Sequence, residues 1–92
     1  MIKKQQKHYT TEEAKEVAST IGINWDTVKF DLEQFTNGMN VEAEHGKNDP
    51  ETNVTNDDPI ITGKIAWAHL KEFADYYIRL EKMEKEAEAE ME

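Results

Sequence analysis

The chain has no cysteine. That rules out a disulfide framework and a thiolate metal site, so stability must come from packing and any metal must be held by oxygen and nitrogen. A long apolar run is missing too. No stretch approaches the length that crosses a bilayer, and the first residues lack the apolar core of a signal peptide. A protein of the reducing cytoplasm, without membrane contact, is expected. Cations are scarce as well: 11 Lys and Arg stand against 20 Asp and Glu, a formal net charge of -9. A nucleic-acid binder gains affinity by neutralising phosphates, so direct contact with DNA or RNA is not expected. Lys3, Lys4 and Lys7 concentrate in segment 1–8, which reads as a flexible, solvated basic tail rather than a binding arm.

The familiar catalytic and ligand motifs are also absent. Thr62, Gly63 and Lys64 resemble the end of a phosphate-binding loop, but the preceding glycine and the hydroxyl after the lysine are missing. No nucleotide is expected. The Asp- and Asn-rich stretch lacks the alternating ligands, central glycine and terminal glutamate of an EF-hand. Asn53, Val54 and Thr55 match a glycosylation sequon by chance in an intracellular setting. No serine or cysteine has an identifiable base. His69 beside Glu72 has the chemistry of a general base, but nothing in the sequence supplies a substrate. A non-enzymatic role is favoured.

What is present is helical periodicity in a chain of one-domain length, 92 residues. The hydrophobic fraction of 37% includes two Trp, three Tyr and three Phe, enough aromatic surface to argue against disorder. Thr10 or Thr11 caps a first helix in which Ala14, Val17, Ala18 and Ile21 recur at three- and four-residue spacing until Gly22. Ile23 and Trp25 anchor the connection, with Asn24 and Asp26 as caps for a short helical turn. A second helix runs from Asp31 to Gly46 with Leu32, Phe35, Met39 and Ala43 as its apolar stripe. Gly38 lies inside it. Because a mid-helix glycine costs about 1 kcal/mol relative to alanine, it marks close approach of another backbone or a break.

Residues 47–58, KNDPETNVTNDD, have no period and read as a long Asn- and Asp-rich loop. Asp58 then Pro59 matches a helix cap followed by proline in the first turn, with Thr62 as an alternative cap. The third helix is expected to be the spine. Ile61, Ile65, Ala66, His69, Leu70, Phe73, Tyr76, Tyr77, Leu80 and Met83 share one broad arc, and Trp67 and Ile78 fall opposite, as expected either of a helix buried from two directions or of an apolar patch that serves as an interaction surface for a partner. From Glu81 to Glu92 there are six Glu against two Lys, so segment 85–92 reads as an acidic helical tail that frays.

Two mirrored pairs stand out, Glu42 with His45 and His69 with Glu72, because residues three apart on a helix project together. A carboxylate or imidazole on an inner face must be paired, hydrogen-bonded, neutralised or metal-bound. One reading is a divalent site for zinc, manganese or iron built from Glu42, His45, His69 and Glu72, with Asp57 and Asp58 arriving from the loop. The favoured reading is structural. In it His69 donates to Glu42 or a loop carbonyl, a Tyr76 or Tyr77 hydroxyl satisfies Glu72, and the network pins the loop, with Asp49, Asn53, Thr55, Thr62 and Lys64 among its members.

The run VEAEHG, followed by DPETNVTNDDPIITGKIAWAHLKEFADYYIRLEKME, resembles a small uncharacterised domain family of bacteria and their phages. The likeness covers Thr10 to about Glu84 and is most distinctive from Glu42 to Tyr77. It implies no assigned activity, and members that stand alone or are attached to larger phage and mobile-element proteins. It draws attention to Glu44, His45, Asp49, Asn53, Thr55, Asp57, Asp58, Thr62, Lys64 and His69, without giving them roles. Ala74 stands where such relatives often carry proline, so no sharp bend is expected there.

The sequence thus predicts an all-α domain over 9–84, a small orthogonal or up-down bundle of three main helices with the loop between the second and third. The expected function is a non-catalytic accessory or protein-interaction module with a basic partner. The alternative is a metal-dependent, hydrolytic domain.

Overall fold

Thr10 opens the first helix with a reciprocal cap. Its hydroxyl accepts from the Glu13 amide at 3.1 Å while Glu13 Oε1 accepts from the Thr10 amide at 2.9 Å, satisfying two backbone donors the helix leaves open. The computed structural model describes residues 8–91. Within them the chain forms four α-helices, α1 (Thr11–Ile21), α2 (Leu32–Glu42), α3 (Pro59–Glu72) and α4 (Tyr76–Met91), with a 3₁₀ turn (Ala43–His45) after α2 and no strand. The basic segment 1–8 lies, His8 apart, outside the described residues.

Helix α1 buries Ala14, Val17 and Ala18 and stops at Gly22, whose φ of 94 only glycine adopts at low cost. Residues 23–31 contain one short turn, capped by Asn24 as expected: its Oδ1 accepts from the Asp26 amide at 3.0 Å and its carbonyl from the Thr27 and Val28 amides at 3.0 and 3.3 Å. They are held by aromatic packing: Trp25 meets Phe30 and Phe35 edge-on at 5.9 and 6.2 Å. Asp31 and Gln34 form a second capping box, and α2 then sends Phe35 and Met39 fully into the core. Before α1, the Tyr9 backbone is tied to α2 in both directions, its amide donating to Asn40 Oδ1 and its carbonyl accepting from Asn40 Nδ2.

Residues 46–58 run as successive turns. Asp58 ends them by capping α3, its carboxylate accepting from the Ile60 and Ile61 amides at 2.8 and 3.4 Å with Pro59 in the first turn. Thr62 is not the cap; buried, it donates its hydroxyl to the Asp58 carbonyl at 2.8 Å. Gly63 presses α3 against Val17 and Phe35, with no room for a Cβ beside the Val17 methyl.

The predicted spine is two helices. Phe73 leaves the helical region at φ -139, ψ 115, and α4 starts three residues later without any proline. The turn is closed by the Tyr76 amide donating to the Phe73 carbonyl at 3.0 Å, and tertiary contacts add to it. Gln34 Nε2 donates to the Ala74 carbonyl at 3.1 Å, and the turn swings Tyr77 back onto Gly38 of α2, where a built Cβ would sit 2.6 Å from the ring. Gly38 therefore marks close approach, of a side chain rather than a backbone, and not a break in α2. Helix α4 runs unbroken to Met91. No helix among the described residues is long and apolar enough to cross a membrane.

Candidate functional site

Glu42 is the last residue of α2 and only 5% exposed. A carboxylate so placed must find donors, since an unpaired buried charge is expensive. Three groups from three other elements approach it. The Tyr77 hydroxyl of α4 donates to Oε2 at 2.7 Å; His45 Nε2 of the 3₁₀ turn lies 3.5 Å from Oε1; His69 Nε2 of α3 lies 3.8 Å from Oε2, ion-pair range but too long for a hydrogen bond. The carboxylate at position 42 and the imidazole at position 69 do meet.

The rings form a wall around it. His69 stacks on Tyr76 with centroids 4.2 Å apart, and Tyr77 stands edge-on to both, 6.2 Å from His69 and 4.9 Å from Tyr76. Burial first, then the hydrogen bond to Glu42 and the charges of Glu42 and Tyr76, push the Tyr77 phenol far above its ordinary range. It is a fixed donor. The imidazoles form the accessible rim, with side chains 41% exposed for His45 and 33% for His69, and His45 Nε2 is also 3.5 Å from Glu44 Oε1.

The six-residue metal set is not assembled. Glu72 is exposed on the last turn of α3, and the phenol expected to satisfy it goes to Glu42 instead. Asp57 Oδ1 accepts from the Lys47 amide at 3.0 Å and Asp58 caps α3. Among the described residues no group of three or more His, Cys, Asp and Glu side chains is arranged to hold a metal ion. Glu42 with its two imidazoles is the nearest approach, but Oε2 is already taken by a hydroxyl.

A groove of about 250 Å³ lies elsewhere, between α1 and the start of α3, and is lined by Tyr9, Glu13, Glu16, Val17, Thr20, Pro59 and Ile60.

The connector is ordered by its own polar groups. The Val54 and Thr55 amides donate to the His45 carbonyl at 2.7 and 3.2 Å. Thr55, fully buried, accepts through its hydroxyl from the Asp57 amide at 3.2 Å. Asn53 Oδ1 accepts from the Asn56 amide at 2.8 Å, and Asp49 Oδ1 from the Glu51 amide at 3.1 Å. Asn56 and Asp57 adopt positive φ, 54 and 64, which their short polar side chains tolerate. Lys64 is exposed on α3.

Trp67 is not an open patch. It is half-buried against the core, its indole nitrogen is enclosed without a hydrogen-bond partner, and Lys71 Nζ lies 4.7 Å over its ring. Ile78 is exposed. Contacts the sequence reading missed are Asn40 with Tyr9, Gln34 with Ala74, and Tyr77 with Glu42; the one signal for the last was Gly38.

The model of a family described as a protein of unknown function, DUF5661, matches residues 14–86. The chain belongs to this family. The DUF5661 match takes in Glu42, His45, His69, Tyr76 and Tyr77, so the whole cluster lies within the family's span. No curated protein and no solved structure matches the chain.

Proposed function

We propose that this DUF5661 domain is a non-catalytic accessory module that acts by binding a protein partner, and that the partner's contact surface is basic. One observation carries the reading. Of the six exposed large apolar side chains among the described residues, four, Phe73, Ile78, Met83 and Met91, belong to the α3–α4 break and to α4. Apolar surface gathered on one element, within a chain of net charge -9, favours a partner that covers it and brings opposite charge. The Glu42 cluster then serves to seat the base of α4 on α2 and α3.

The reading is tested by cross-linked capture of partners on the immobilised chain. Phe73→Ser with Ile78→Ser should lose the captured protein while keeping the urea midpoint of the parent, and undiminished capture would overturn the role of this surface. A metal-dependent activity centred on Glu42, His45 and His69 has less support, for want of a third free ligand group. A melting temperature raised by zinc or manganese and lowered by EDTA would restore it.

A further inference from the structure

We infer that the distal half of α4 is the seat for a basic amphipathic helix of a partner protein; this rests on the interaction reading above and names its site and its partner's chemistry. Tyr76, Leu80, Met83, Ala87 and Met91 follow one another at spacings of four, three, four and four residues, so they form a single stripe along the helix. The near end of that stripe is in use, since Tyr76 and Leu80 are half-buried against the core. The far end is not. Met83 is 53% and Met91 80% exposed, and Tyr77 is the one buried residue in α4. The same apolar line that docks α4 on the body thus runs on beyond the body's edge.

The charges beside the stripe decide what covers it. Helical spacing puts Glu84 and Glu88 along one side and Glu86 and Glu90 along the other. Lys82 and Lys85 fall on the back of the helix, where Lys85 Nζ pairs with Glu81 Oε1 at 3.0 Å. The seam is apolar with glutamate rails. A second copy laid on it would set glutamates against glutamates, which opposes pairing in the way mismatched flanking charges do in coiled coils. A helix carrying leucine-like residues at three- and four-residue spacing, flanked by Lys and Arg, would match both the seam and the rails. Residues 81–91 offer about three turns, room for a short helix.

The probe is a labelled synthetic helical peptide with leucines on one face and lysines flanking them, titrated against the full chain by fluorescence anisotropy. Two control peptides accompany it, one of the same composition scrambled and one with glutamates in place of the lysines. Saturable binding of the basic peptide alone, weakened about tenfold by Met83→Ser with Met91→Ser, is expected. Glu84→Lys with Glu88→Lys should move the preference toward the glutamate peptide. Equal binding of the scrambled peptide, or full binding by the methionine double variant, overturns the proposal. So does sedimentation of the parent chain as a dimer that the double variant abolishes. If capture still depends on Phe73 and Ile78 while the basic peptide fails to bind, the interaction reading survives and this seat does not.

Discussion

The two junctions flanking α3 are built on opposite principles. The one before it, residues 46–58, is long and ties itself together: amides at Lys47, Val54, Thr55, Asn56 and Asp57 all find acceptors within the connector or on His45. The one after it, residues 73–75, is short, closed by one backbone bond from the Tyr76 amide to the Phe73 carbonyl at 3.0 Å, and held besides by another helix, through Gln34 on the Ala74 carbonyl and through Tyr77 reaching Gly38 and Glu42. A connector that satisfies its own backbone can be long without being loose. A short break has few such groups of its own and is secured by its neighbours as well.

The comparison makes the α4 junction the more sensitive to a single side chain. Tyr77→Ala removes the buried ring and strips Glu42 of its donor, so it should cost about 3–5 kcal/mol in urea unfolding; a loss under about 1 kcal/mol would mean α4 is not anchored there. Tyr77→Phe keeps the ring and deletes only a hydrogen bond to a buried carboxylate, worth about 2 kcal/mol. It also changes the pH response. The phenol holds its proton more tightly in the folded chain than at the ordinary value of 10.0, so its contribution is intact below that pH. Above it the unfolded chain releases the proton while the folded chain keeps it, and stability falls. The gap between parent and Tyr77→Phe should therefore shrink between about pH 9 and about pH 11, and a constant gap would contradict a raised phenol.

At the other junction the load is shared. Asp58→Ala should cost only about 1 kcal/mol, the usual value of a helix cap; a loss several times larger would show the connector to be as dependent on one residue as the break is. The smallest effect belongs to Ala74→Pro. Phe73 is already extended, the conformation a following proline demands, so the change should alter the melting free energy by no more than about 1 kcal/mol. Were α3 and α4 one helix, it would cost about 3 kcal/mol or more.

The same contrast explains what could be read from the chain. Thr10, Gly22, Asp31, Asp58 and Pro59 act within a few residues of themselves, so the ends they set were legible. Glu42 was legible as a candidate through its three-residue spacing to His45. The α3–α4 break was not, because Phe73, Ala74 and Asp75 contain no strong breaker and the helical arc runs through them without interruption. For Trp67 the wheel left two outcomes open, burial from two directions or a patch for a partner, and because α3 packs against both α1 and α2 the first holds there. Glu72 stays on the last turn of α3 but is exposed there, while His69 one turn earlier reaches Glu42.

The three methionines among the described residues divide along the same line as the helices. Met39 is sealed in the core, while Met83 and Met91 stand in solvent. A peroxide would reach the outer two first and turn each thioether into a polar sulfoxide, and sulfoxide reductases can undo that change. The arm's greasy character is therefore erasable without harm to the body that carries it.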